Sequence, residues 1–294
     1  MKSSPVIPVF TLLLMLASES PAEILVRDDL QNIVQLEAPA GRIISLAPHL
    51  TELLFSLEVG EQIVGTSRYS DYPPAASQIQ VIGDAFSVNV ETVVNLKPDV
   101  IFAWSTGGAN RAIESLRKLG YAIYLNEAKT FQGIGKTLVA MSKLVGKERQ
   151  GLELEGQFQN RIEGIREANA GFPSPRVFFQ ISDQGLYTVN GQHLIGQAIN
   201  ICNGENVFAE QTIAVPLVSK ESIVAADPDV IVISKPHPES VSPWEKRWNS
   251  YAGYGAKLRW IDPGLISRPS LRMLDGIEQL CGLIHQYPGT LHEP

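Results

Sequence analysis

The stretch Glu91-Thr-Val-Val-Asn-Leu-Lys-Pro98-Asp99-Val-Ile101 returns later in the chain as Glu221-Ser-Ile-Val-Ala-Ala-Asp-Pro228-Asp229-Val-Ile231, with the same glutamate-to-proline spacing. Each copy reads as a short helix, a Pro-Asp stop and an entering buried strand, because proline ends a helix that its missing N–H cannot continue. Outward from the first copy, short β-rich runs alternate with helical ones. RIISL (Arg42–Leu46) precedes LTELLFSL, and QIVGTS leads to a turn at Asp71-Tyr72-Pro73-Pro74. DVIFAW, RAIESLRKL and AIYLN then follow in order. Around the second copy the alternation runs from RVFFQI (Arg176–Ile181) through LYTV, HLIGQAINI, KESIVAA, DVIVIS and LRWID to a last helix near 270–285. Such alternation predicts βα units and a mainly parallel sheet in each half.

Between the halves, from Phe131 to about Ala168, no strand candidate occurs, and Leu154, Phe158, Ile162 and Ile165 recur at helical spacing. The expected architecture is two similar α/β lobes with mainly parallel sheets joined by a long backbone helix, or by two in succession. The bounds are 42–130 for the N-terminal lobe, 131–172 for the helical connector and 173–288 for the C-terminal lobe. A cleft between similar lobes is where a small molecule is expected to bind.

The 294 residues carry a formal charge of −7, 44% are hydrophobic and 19% charged. This is globular composition, and without a Lys/Arg run it argues against a nucleic-acid partner. Residues 1–22 read as a signal peptide: the apolar run Val6–Ala17 is too short to span a bilayer, and Ser20-Pro21-Ala22 predicts cleavage after Ala22. No cysteine follows that run, so a lipid anchor there is not expected, nor is a later membrane span; the reading is an exported, freely soluble protein. In an oxidising compartment Cys202 and Cys281 are expected to be bridged, the alternative being two separate buried thiols.

No GxSxG, HExxH, Gly-rich phosphate loop or GxGxxG after a strand is present, so no catalytic residue is expected. His49, His193, His237, His285 and His292 are too scattered for a dedicated metal site. His49 and Glu52 share a helix turn; the pair reads either as a helix start beside a capping glutamate or as a cleft residue beyond a strand end, and His49 is kept as the latter rather than as a metal ligand. Tyr69, Tyr72, Phe86, Trp104 and Arg268 also follow strand ends, in loops. Tyr69, in a polar loop, suits the wall of a flat ligand, with Phe86 and Trp104 expected as its neighbours in the cleft; the alternative, a turn aromatic packed on its own lobe, is the reading of Tyr72 and stays open for Trp104.

At these residues the chain resembles the substrate-binding proteins of ABC importers for iron chelates and cobalamin, most of all the cobalamin-binding members. RIISLAPHLTELLFSL, SRYSDYPP (67–74), Ala103-Trp104 with Gly107-Gly108, Cys202-Asn-Gly-Glu-Asn206 and SRPSLR carry the resemblance, which covers about 42–284. It implies two lobes on a stiff helical backbone with little hinge closure, no catalysis, no cofactor, a periplasmic location, a corrinoid as bound ligand and a membrane permease as partner of a monomer. By the same resemblance Tyr69 lines the corrin cleft, the loop Gly264, Leu265, Ile266, Ser267 and Arg268 supplies polar contacts, and Glu91 and Glu221 dock onto arginines of the permease. Taken alone, the two glutamates read as helix-start carboxylates favoured by the macrodipole. Ala85-Phe86 and Val215 stand where cobalamin-binding members carry tryptophans, which thins two stacking walls. Ile82-Gly83 is followed by Asp84 where haem receptors place a tyrosine, which disfavours haem. The alternative ligand, an anionic iron siderophore, predicts an electropositive cleft, a charge that Arg68, Arg111 and Arg268 would supply if they converge.

Overall fold

The computed structural model describes residues 23–84, 86–235, 239, 242–251 and 253–286; the expected signal peptide, Ala85, His237 and His292 lie outside them. The chain opens on a strand pair, β1 (Ile24–Arg27) and β2 (Ile33–Leu36), antiparallel and closed by the Asp28 carboxylate on the Asn32 N–H at 2.8 Å. This hairpin has no counterpart in the sequence reading, since two four-residue runs joined by a five-residue turn carry little periodic signal.

The N-terminal lobe follows: β3 (Ile43–Ser45), α1 (Pro48–Ser56), β4 (Ile63–Ser67), β5 (Val81–Gly83), α2 (Val90–Leu96), β6 (Val100–Trp104), α3 (Asn110–Lys118) and β7 (Ile123–Asn126). Two helices in succession, α4 (Phe131–Leu144) and α5 (Glu148–Asn169), lead out of it. The C-terminal lobe holds β8 (Arg176–Gln180), α6 (Leu194–Ile201), β9 (Glu205–Asn206), α7 (Lys220–Ala226), β10 (Val230–Ser234), α8 (Pro243–Asn249), β11 (Leu258–Ile261), α9 (Pro263–Ile266) and α10 (Met273–His285). LYTV forms no strand of the sheet: Tyr187 makes only an isolated bridge to Leu217.

Both sheets are parallel throughout. Their orders are β5-β4-β3-β6-β7 and β9-β8-β10-β11, so among the described residues the second repeats the first without an equivalent of β5. Strands such as VIFAW and VIVIS are apolar nearly end to end because helices cover both sheet faces.

The internal repeat folds into the same hardware twice. Asn89 and Ser219 cap α2 and α7 by accepting the N–H of Thr92 and Ser222, and Lys97 and Asp227 end these helices in the left-handed region at φ 47° and 38°. The Asp99 carboxylate then accepts the Arg42 N–H at 2.8 Å, as Asp229 accepts that of Arg176 at 2.8 Å. Each arginine donates back to the end of the preceding helix, Arg42 to the Leu96 carbonyl and Arg176 to that of Ala226. The Pro-Asp dipeptide is thus a clasp between the helix, its strand and the neighbouring strand.

One apolar core runs from Ile43 and Val100 through Leu138, Phe158 and Ile162 to Val177, Val232 and Ile277, so α4, α5 and α10 weld the two sheets together. Smaller clusters cover the outer face of each sheet, the C-terminal one built around the fully buried Trp248. Cys202, just past α6, is disulfide-bonded to Cys281 in α10.

Candidate functional site

The strand order reverses between β3 and β6 and again between β8 and β10, and in open α/β sheets ligands bind beyond the carboxyl ends of strands at that reversal. A cleft of about 1200 Å³ opens there between the lobes. Ordinary small-molecule pockets are about 300–1,000 Å³, so this one suits a large ligand.

From the N-terminal lobe the cleft takes His49 after β3, Tyr69 after β4, Phe86 after β5 and Trp104 at the end of β6. Tyr69, Phe86 and Trp104 are 70%, 79% and 42% exposed, an uncovered aromatic wall of the kind that marks a binding surface. Asp84 holds the Phe86 loop by accepting the N–H groups of Phe86 and Ser87, each at 2.9 Å; these bonds draw its carboxyl below the usual range. Phe86 rests against Gly108, where an added Cβ would lie 2.6 Å from the ring.

From the C-terminal half come His193, Gln197, Ala214, Ile266, Ser267, Arg268 and Met273. Gly264 and Leu265, the other members of the predicted loop, lie in α9 outside the lining; Gly264 instead gives its carbonyl to Arg272. Val215, 38% exposed, is beside the lining residue Ala214. His193 caps α6 through Nδ1, which accepts the Ile195 N–H at 3.1 Å. Sequence reasoning did not assign His193 to the cleft; a histidine just before the apolar helix LIGQAINI was the available signal.

His49 and Glu52 share α1 but part ways, and neither caps it. The His49 Nε2 is 2.7 Å from Asn126 Oδ1, and burial lowers the imidazole pKa to about 4 despite that bond and the Glu52 charge. Glu52, buried, meets the other half of the chain: Ser270 donates to it at 2.5 Å, Arg272 at 2.6 Å and Arg268 at 3.0 Å. Arg268 also donates to Asp71 at 2.7 Å and to the Tyr69 carbonyl at 3.1 Å. Burial opposes ionisation of Asp71, but Arg268 outweighs it and holds the carboxyl below the usual range. Tyr72 does not pack on its own lobe alone: the Arg272 guanidinium lies 3.8 Å above its ring, and the residue is outside the cleft lining. These contacts latch the two lobes at one side of the cleft, and Arg268 reaches the ligand wall chiefly by holding Tyr69.

The charges around the cleft compensate. Arg268 and Arg272 face Glu52 and Asp71; of the other charged residues in the lining, Lys129 pairs with Glu127 at 3.0 Å and Arg68 sits near Asp84. Arg111, on α3, is exposed and outside the lining, so the three arginines do not converge. Among the described residues no group of three or more His, Cys, Asp or Glu stands close enough to hold a metal ion, and no helix is long and apolar enough to cross a membrane. Glu91 and Glu221 are away from the cleft lining, exposed in the first turns of α2 and α7.

Two parallel-sheet lobes welded by helices around a large aromatic cleft define a solute receptor, and the chain belongs to the periplasmic binding protein family, which it matches over residues 43–247. The vitamin B12-binding protein of Vibrio cholerae serotype O1 is 32% identical over 244 residues, 83% of this chain and 88% of that one. The protein of the same name from Vibrio vulnificus is 32% identical over 248 residues, 83% of this chain and 90% of that one. The crystal structure of the periplasmic vitamin B12-binding protein BtuF of Vibrio cholerae superimposes with a TM-score of 0.74 at 32% identity, covering 84% of this chain and 97% of that one. A periplasmic haem-binding protein, BhuT, shares the fold with a TM-score of 0.74 at 18% identity, covering 85% of this chain and 99% of that one.

Proposed function

We propose that this chain is a periplasmic receptor that captures cobalamin or a related corrinoid in the interlobe cleft and delivers it, without catalysis, to an ABC importer. The carrying observation is the pairing of a 1200 Å³ aromatic cleft with internally compensated charge. A corrinoid is a broad apolar macrocycle with neutral amide edges and needs area and polar anchors rather than net charge. A siderophore carrying several negative charges would need unpaired cations, and Arg268 is already engaged by two carboxylates. The relatives named for vitamin B12 binding support the same ligand.

Delivery is assigned to Glu91 and Glu221. They occupy the same repeat position, one per lobe, each with an exposed valine one turn on, Val94 and Val224, so that together they present matched acidic and apolar points to a permease. Residues 1–22 serve as the export signal in this reading.

Calorimetry with cyanocobalamin and with a ferric siderophore tests the ligand. Saturable heat with the corrinoid alone is expected, and Tyr69→Ala should weaken it by about 1–3 kcal/mol, the cost of losing one aromatic contact. Tight siderophore binding with no corrinoid heat would overturn the reading.

A further inference from the structure

His49 is supported in a way that a packing residue does not need. Asp29, in the β1–β2 turn, accepts the Tyr124 hydroxyl at 2.7 Å, the Asn126 Nδ2 at 2.9 Å and the Glu127 N–H at 2.7 Å. Asn126 Nδ2 gives its second hydrogen to Thr137 Oγ1 at 3.0 Å. With both amide hydrogens spent on those acceptors, Asn126 must turn Oδ1 toward His49 and accept from Nε2 at 2.7 Å. The proton of the neutral ring is therefore on Nε2, and Nδ1 carries a free lone pair. No described residue hydrogen-bonds to Nδ1, and the residue lines the cleft, with Trp104 edge-on at a centroid distance of 6.3 Å.

An imidazole whose far N–H is anchored on a carbonyl that is itself backed by a carboxylate is the supporting shell of a metal-binding histidine: it fixes the tautomer and raises the basicity of the coordinating nitrogen. Burial keeps the ring neutral, so protons do not compete for the lone pair at ordinary pH. We propose that His49 Nδ1 is an axial ligand to the metal of the chelate bound in the cleft, cobalt in the corrinoid reading on which this inference rests. The step is a ligand exchange: a cobalt–water bond breaks, a cobalt–nitrogen bond forms and water leaves, with no change in oxidation state. One protein nitrogen suffices because the macrocycle brings the equatorial ligands with it. Corrinoids that lack their own lower base, or hold it loosely, are the class this favours.

Cobinamide, which carries no base, is the probe. Electron paramagnetic resonance of cob(II)inamide bound to the protein is expected to show nitrogen superhyperfine splitting, a triplet that becomes a doublet when the histidines are labelled with nitrogen-15. His49→Gln should abolish it and bind cobinamide at least about tenfold more weakly, the lower end of what loss of a metal site's supporting shell costs. His193→Gln should keep it. Bound cobinamide without splitting in the labelled wild type, or splitting lost with His193 alone, overturns the ligation and leaves the corrinoid reading standing. Failure to bind any corrinoid overturns both, and the labelled wild type decides even if the His49 variant does not fold.

Discussion

Glu52 is a single buried carboxylate that collects a hydroxyl and two guanidiniums from the opposite half of the chain. Removing its charge leaves Arg272 without a carboxylate and Arg268 with Asp71 alone, and breaking such a cluster costs more than the intact cluster contributes. Glu52→Gln is therefore expected to destabilise the protein by about 2–4 kcal/mol in urea unfolding, whereas the exposed Asp71→Asn should cost much less. His49 gives a second expectation at this scale. Its pKa falls from 6.5 to about 4 on folding, so between those values the unfolded chain binds a proton that the folded one refuses. Its contribution is complete above pH 6.5 and is lost as pH falls toward 4, by up to roughly 3 kcal/mol. Burial shifts His193 in the same direction. Unfolding curves across this range should be flatter for His49→Gln than for wild type. Tyr69 and Phe86 were legible because they follow strand ends in polar loops, whereas Trp104, the last residue of β6, could equally be read as packing on its own lobe. The latch was not: Glu52 and Arg268 are 216 residues apart, and the sequence offered Glu52 a nearer task beside His49.

At the level of elements, the two Pro-Asp clasps show why the repeat was readable and much of the rest was not. Helix, stop and strand are local events, and the helix-capping Asn89 and Ser219, the turn-forming Lys97 and Asp227 and the bridging Asp99 and Asp229 recur at fixed offsets. The β1–β2 hairpin and the two-residue β9 depend on partners distant in sequence, Leu125 for the Asp29 N–H and β8 for β9, and left no periodic trace. LYTV failed for the converse reason: its alternation is that of a strand, but Tyr187 finds only one bridge. Because α2 and α7 present Glu91 and Glu221 away from the cleft, reversing both charges to Arg should leave corrinoid affinity within about twofold and reduce uptake in cells, with single reversals milder and salt-sensitive. Loss of ligand binding in the double variant would move these residues out of the docking role. The α6–α10 joint makes a further expectation: replacing Cys202 and Cys281 by Ser opens a link across 79 residues, for which chain entropy gives about 4–5 kcal/mol, readable as a lowered urea midpoint.

The whole molecule differs from a hinged clam. Two lobes that close on a ligand need a thin connection and separate cores, whereas here one apolar core passes from the first sheet through α4, α5 and α10 into the second, and the Glu52 latch closes the cleft's flank. Opening by rotation would have to shear packed side chains such as Leu138, Phe158 and Ile277 past one another while separating buried charges, and close-packed interiors resist both. The cleft is thus preformed, and the ligand meets an aromatic wall already in place, which spares the ordering cost of closure. Small-angle scattering should give the same radius of gyration with and without saturating corrinoid, and Glu52→Gln, which cuts the latch while leaving the core intact, should broaden the apo distance distribution without shifting the liganded one. A contraction of the wild type on binding, of the size that lobe closure produces, would mean that the helices bend where the core is continuous and that rigidity does not reside in this weld.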